Sequence, residues 1–244
     1  MFKPTVYVAL GLGLAAAPQT QAQTTGSVFG PGVSQGEREA EYRLGVEWEE
    51  AGDTPSLAHR FHIQTSMTDA LRWRLIAAWE DPAHGDLELD YVQGELLWQI
   101  LETTPSGYAS AVRFDARISE GDNTPHEIGL NWTNQWTLND QWRLRALVLF
   151  DRDVGPNAKD DWILETRASL SRRFENGYRI TLESFNEFGG LDAGFGGFDD
   201  QNHQLGPVLS GPLAYDVDWS AGLLFGLSDS APEQDLVLRL SRPF

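Results

Sequence analysis

The chain has 244 residues, no cysteine and two methionines. Lysine occurs only at Lys3 and Lys159. The missing cysteine excludes disulfides as a source of stability, and it excludes a lipidated N-terminal cysteine as an anchor. Thirty-six acidic residues stand against 18 Lys and Arg, a formal net charge of −18. No basic surface is left over to neutralise phosphates, which argues against nucleic acid as a partner. Long apolar runs are also absent. Beyond the first 22 residues nothing approaches the ~20 consecutive apolar residues of a membrane-spanning helix. Gly-rich phosphate loops leading into a helix are missing, and the five histidines are dispersed. The sequence therefore offers no cofactor motif and no metal-ligand spacing.

What is present begins with Met1-Phe2-Lys3, a short positive start. A run of small apolar residues from Val6 to Ala17 follows, and then Thr20-Gln21-Ala22. This is the pattern of a secretory signal peptide, with cleavage expected after Ala22 because Pro18 disfavours cutting after Ala17. Residues 23–36, QTTGSVFGPGVSQG, are dominated by Gly, Pro, Ser and Thr. They read as a flexible periplasmic N-terminal segment, or an arm entering a lumen, without regular structure.

From residue 37 to 244 the chain alternates. Ala40, Tyr42, Leu44, Val46 and Trp48 are apolar, with Glu41, Arg43, Gly45 and Glu47 between them. Strict period two over this length describes a strand whose faces meet different solvents. The pattern recurs in segments centred near residues 62, 76, 94, 113, 132, 146, 166, 180, 206, 221 and 240. In the fourth, apolar residues move from odd to even positions, and a β-bulge near Gln93-Gly94 accounts for the slip. The result is an all-β chain, a closed antiparallel transmembrane β-barrel of twelve strands, with ten and fourteen as the neighbouring even counts. Tight connections such as Thr68-Asp69 alternate with longer acidic ones. That asymmetry puts both termini in the periplasm. Aromatic residues cluster near both expected boundaries, where amphipathic rings collect at membrane interfaces.

The last nine residues, Leu236-Val237-Leu238-Arg239-Leu240-Ser241-Arg242-Pro243-Phe244, alternate and close on Phe. Together with the signal peptide and the strand pattern, this ending resembles that of bacterial outer-membrane β-barrel proteins, where such a strand is an assembly signal. Arg242 departs from the apolar preference at its position. The resemblance implies the outer membrane of a Gram-negative bacterium as location, its lipid as surroundings, and the barrel-assembly machinery as a partner recognising the strand that ends in Phe244. It is a resemblance of class and implies no catalytic residues.

On the polar parity lie the charged candidates for the lumen: Glu41, Arg43, Arg72, Arg74, Glu88, Asp90, Arg113, Asp115, Arg117, Arg143, Arg145, Glu165, Arg167, Arg179, Glu183, Asp216, Asp218 and Arg239. Neighbouring strands tend to carry opposite signs there, and the arginine fork suits paired carboxylates. Two readings follow. One is a narrow porin-like channel for small polar or charged solutes. The other is a closed structural or interaction barrel packed with ion pairs. An outer-membrane lipid hydrolase is a weaker third, because it needs a Ser beside a His on the lipid side. His59 and His126 face that way, but Ser119 points inward. Residues 189–202 hold five Gly, and Leu191, Phe195 and Phe198 need cover. Together with Asp199 and Asp200 they are expected to fold inward as a constriction or lid.

Overall fold

The computed structural model describes residues 25–50 and 52–244. The expected signal peptide, residues 1–22, lies outside the described residues. Twelve strands run β1 (Arg38–Trp48), β2 (Ser56–Ser66), β3 (Leu71–Asp81), β4 (Glu88–Leu101), β5 (Tyr108–Ser119), β6 (His126–Thr137), β7 (Trp142–Val154), β8 (Trp162–Arg173), β9 (Arg179–Gly190), β10 (Asn202–Pro212), β11 (Asp218–Gly226) and β12 (Gln234–Pro243). Each pairs antiparallel with its sequence neighbours, and β1 pairs with β12, so the sheet closes and leaves no edge. One 3₁₀ turn, Phe198–Asp200, interrupts the longest connection.

Alternation decides the two faces. In β5, Arg113 and Asp115 are buried while Phe114 between them is half exposed. In β2, Arg60, His62 and Gln64 are buried while Phe61 is exposed. The outward side chains form a continuous apolar belt that includes Leu75, Trp98, Phe114, Trp132 and Leu182. A belt of that extent is a surface made for lipid. Rings gather at one end of it: Tyr108 lies 5.5 Å from Trp136 and Tyr178 lies 6.5 Å from Trp219. This end carries the short turns after β2, β4, β6, β8 and β10 and both ends of the barrel chain; we call it the turn end. The opposite, loop end carries the connection 191–201.

Two details differ from the sequence reading. The slip in β4 sits at Asp90, because Ala78 pairs with Tyr91 and Trp79 with Leu89. Gly94 stays in register with Leu75. Tyr91 thus turns inward, where the Arg117 guanidinium lies 4.1 Å from its ring centre. An aromatic residue on the apolar parity carries no mark of the side to which a bulge will turn it. The second difference is Asp216, which with Tyr215 occupies the left-handed region in the turn before β11 (φ 58° and 64°). It is exposed there and lies outside the lumen.

The interior is not empty. Residues 25–33 run through it as an extended arm, with Thr25, Val28, Phe29 and Pro31 buried. Val28 and Phe29 pack with Leu97, Ala111, Leu147, Leu149, Phe185, Leu224 and Val237, inward-facing apolar residues of six different strands. Such residues would be anomalous on the wall of a water-filled lumen. Here they are the socket of the arm.

Candidate functional site

The lumen is organised around Glu95 of β4. Its carboxylate accepts from Arg74 Nη1 at 3.0 Å and Gln93 Nε2 at 3.1 Å, and pairs with Arg113 Nη1 at 3.2 Å and Arg60 Nη2 at 3.5 Å. Arg74 also donates to Gln64 Oε1, at 2.8 and 3.1 Å. Arg113 turns its Nε to Asp115 at 3.1 Å. Further pairs join Arg43 to Glu41, Arg117 to Glu127, Arg167 to Glu165 and Arg239 to Glu183. Glu95 was missed by the sequence reading. Its signal is present all the same, since alternation with the outward Leu96 and Trp98 puts residue 95 on the inward face.

The expected alternation of sign between strands holds where Arg74 stands opposite Glu95 and Arg117 opposite Glu127, and fails in other rows. Arg43 stands opposite Arg239 on one side and Arg60 on the other. Glu95 stands opposite Asp115, which stands opposite Gly129, which stands opposite Asp151. Like charges directly opposite repel, and in those rows they are offset by pairs with a neighbouring row, as in Arg43–Glu41, Arg113–Asp115 and Arg113–Glu95. Gly129 permits the acidic row. A Cβ there would land on carboxylate oxygens of both Asp115 and Asp151.

Among the described residues, two groups of side chains come close enough to share a cation, Glu39–Glu41–His62 and Asp115–Glu127–Asp151, with ligand atoms within 4.8 Å of one another. Both are crossed by arginines, Arg43 on Glu41, Arg113 on Asp115 and Arg117 on Glu127. They serve first as ion-pair partners.

Two chambers flank the arm. A cavity of about 400 Å³ at the turn end is lined by Arg143, Arg145, Arg173, Arg179 and Arg239, with Glu41, Glu183, Asp218 and several serines. A cavity of about 440 Å³ at the loop end is lined by Glu47, Glu49, Asp53, Glu80 and His84. Arg113, Asp115, Arg117, Glu165 and Arg167 share a small cleft with Ser27 of the arm. Asp90 lines another with Thr25. Arg72 reaches the arm at Gly32 O, at 3.3 Å. Glu88 sits at the exposed rim, paired with Glu80.

The connection 191–201 does not close the lumen. Phe198 stacks on His203 with ring centres 4.5 Å apart, and Phe195 lies 5.9 Å from Phe188. His203 and Phe188 have the outward parity of Leu205 and Leu182, so the aromatics find cover on the outer face near the rim. Leu191, Phe195, Phe198, Asp199 and Asp200 all remain exposed. The Asp161 carboxylate fixes the start of the connection by accepting from the amides of Asp192 at 2.9 Å, Ala193 at 3.1 Å and Trp162 at 2.7 Å. The Asp192 amide first, then those of Ala193, Trp162 and Leu191, hold its pKa below the usual carboxylate value.

The histidines weighed for hydrolysis have other partners or none. His59 Nδ1 lies 2.8 Å from the Tyr42 hydroxyl. His126 Nδ1 is buried without a hydrogen-bond partner among the described residues. The ring most closely held is His203, with Nδ1 3.0 Å from Asn186 Oδ1 and Nε2 2.9 Å from Gln201 Oε1. Both nitrogens are engaged by amides, so neither is left to activate a serine.

A closed twelve-stranded antiparallel barrel with an apolar outside and a charged inside has the architecture of bacterial outer-membrane barrels. Among solved structures, the chain is similar to an outer membrane channel from Pseudomonas putida F1 (TM-score 0.64, 9% identity, 87% of this chain and 97% of that one). It is similar also to the NanC porin (TM-score 0.59, 9% identity, 83% and 97%) and the KdgM porin (TM-score 0.56, 10% identity, 84% and 99%). At such identities the likeness is one of fold. No family model matches the chain, and no curated protein matches it.

Proposed function

We propose that this protein is a narrow porin-like channel of the outer membrane for small polar or charged solutes, with both termini in the periplasm. The observation that carries the reading is the pair of chambers, about 400 and 440 Å³, at the two ends of one lumen. Val28 of the arm lines the first. Thr25 lines a cleft with Glu47 and Glu80, which also line the second. The arm thus lies along the route between them. The turn-end chamber is rich in arginine and the loop-end chamber in carboxylates, so a permeating ion meets both signs. The fold shared with two porins and a channel supports the same reading. Surrounding lipid, and recognition of the strand ending in Phe244 by the assembly machinery, belong to this proposal.

Planar-bilayer recording tests it, with the full-length protein and with a variant lacking residues 23–33. Stepwise conductance from either form supports a channel. Conductance at the level of the bare bilayer from both, with the barrel folded, rejects it. The competing reading is a closed structural barrel, favoured by the apolar socket filled with Val28 and Phe29. That second outcome would establish it.

A further inference from the structure

Five consecutive carbonyls of the arm each accept from a different side chain of the wall. Thr25 O takes Arg43 Nη1 at 2.9 Å, and Gly26 O takes Arg239 Nη2 at 3.0 Å. Ser27 O takes Arg167 Nη1 at 3.5 Å, Val28 O takes Arg145 Nη1 at 3.2 Å, and Phe29 O takes Thr133 Oγ1 at 2.9 Å. These donors come from β1, β12, β8, β7 and β6, so they surround the arm. The wall reads backbone atoms here, which every peptide carries. Side-chain selection falls on Val28 and Phe29, which enter the apolar socket, with Val33 packed against its edge. The remaining arm residues are small; a Cβ on Gly30 would stand 2.7 Å from Arg145 Nη2, whereas one on Gly32 would meet nothing within 4 Å. Main-chain hydrogen bonds for affinity and one or two pockets for specificity are the working parts of a peptide-recognition groove.

We propose that the lumen wall is a binding site for an extended, uncharged peptide of small residues around an apolar pair. The chain's own residues 25–33 fill this site in cis, and the same segment binds it in trans. The ring of arginines explains why an arm without a single charge is held in so charged an interior. Arg43, Arg60 and Arg239 stand side by side across three strands. Carbonyl oxygens take donors that the carboxylates leave over. The apolar socket explains why the occupant is a peptide rather than a hydrated solute, since an emptied socket would expose Leu97, Leu147, Leu149 and Phe185 to water. Tethering keeps the local concentration of the arm high, so the filled state is the resting one. This inference deepens the channel reading, because a bound peptide then acts as its plug. The binding site itself stands or falls independently of conduction.

The test uses the variant lacking residues 23–33, refolded in detergent, and a fluorescent synthetic peptide of residues 24–33. Saturable binding at one peptide per barrel is expected, visible as a rise in anisotropy. The same peptide with Phe29→Asp should bind at least about tenfold more weakly, as expected for loss of an apolar anchor. Full-length protein, with its site already filled, should bind the labelled peptide far less. Absence of binding to the folded variant, or equal binding of both peptides, overturns the proposal. If the truncated barrel does not fold, the arm is severed after folding instead, at a protease site replacing the exposed residues 34–36. A severed arm that co-purifies with the barrel or is replaced by labelled peptide supports the site. A severed arm that leaves, with no peptide taking its place, overturns it. Bilayer recordings separate the two readings. Peptide binding without conductance from any form retains the site and removes the channel. Conductance that the peptide does not reduce, in a variant that binds no peptide, retains the channel and removes the site.

Discussion

The guanidinium of Arg113 lies 4.3 Å from the ring centre of Phe29 while its nitrogens hold Glu95 and Asp115. One side chain thus joins the charged network of the wall to the apolar anchor of the arm. A cation over a ring face is attracted by its quadrupole, and more so where water is excluded. Replacing Phe29 with Ala removes both the ring contact and the filling of the socket. Release of the arm, rather than loss of the barrel, is the expected consequence. Limited proteolysis of the folded protein should show residues 25–33 cut rapidly in Phe29→Ala and protected in the parent, with the barrel band intact in both.

Glu95 is the single carboxylate shared by Arg60, Arg74 and Arg113. Removing one member of a buried ionic cluster leaves the others uncompensated, at a cost of about 3–5 kcal/mol. Glu95→Ala should therefore lower unfolding stability by that order in urea titration of the reconstituted barrel. Glu88→Ala, at the exposed rim, should leave it within about 0.5 kcal/mol. Equal effects of the two would refute the central place of Glu95.

Gly129 lies between Asp115 and Asp151 in the row of acids. An added methyl would meet carboxylate oxygens on both sides. Gly129→Ala should cost about 1–3 kcal/mol, the range for overpacking a filled interior. Gly94→Ala serves as the control, since a Cβ at Gly94 meets nothing within 4 Å.

Asp161 accepts three amide hydrogen bonds at the loop end, the first from Asp192, and its pKa lies below the usual carboxylate value. A depressed folded-state pKa means stabilisation that is fully present above the unfolded value of about 3.9 and is lost as pH falls through the folded one. Hydrogen exchange at Asp192 and Ala193 should therefore remain slow, once corrected for intrinsic rate, at pH 5 and above. It should accelerate only when the solution is taken below the ordinary carboxylate range. Asp161→Ala should remove that protection at every pH. Protection in the variant equal to the parent would show that the loop is held by other contacts.

Phe198 and Phe195 pack on the outer face, against His203 and Phe188. Deleting residues 191–198 should accordingly leave solute uptake unchanged in liposome swelling, with the barrel still heat-modifiable on gels. A rise in uptake would show that the connection reaches over the lumen in the membrane.

Period-two alternation by itself determined which residues face lipid and which face inward. The two solvents act on each residue separately, so the pattern is written locally, as in Arg113-Phe114-Asp115. Twelve such segments imply closure, because an open sheet of that polarity pattern would leave unpaired backbone in hydrocarbon. The neighbours of an inward side chain are a different matter. They depend on register and bulges between strands. Asp90, rather than Gly94, carries the slip, and only that placement turns Tyr91 inward. Glu88 and Asp216 have the composition of lumen residues, but Glu88 is the exposed first residue of β4 and Asp216 sits in the turn before β11. The loop aromatics needed cover, and the sequence could not say on which side of the rim His203 would offer it. Residues 25–33 have no period at all. Their place in the lumen follows from carbonyls and an apolar pair meeting donors and a socket contributed by strands more than a hundred residues apart in sequence, as Thr133 and Phe29 are. Only the closed tertiary structure brings those partners together.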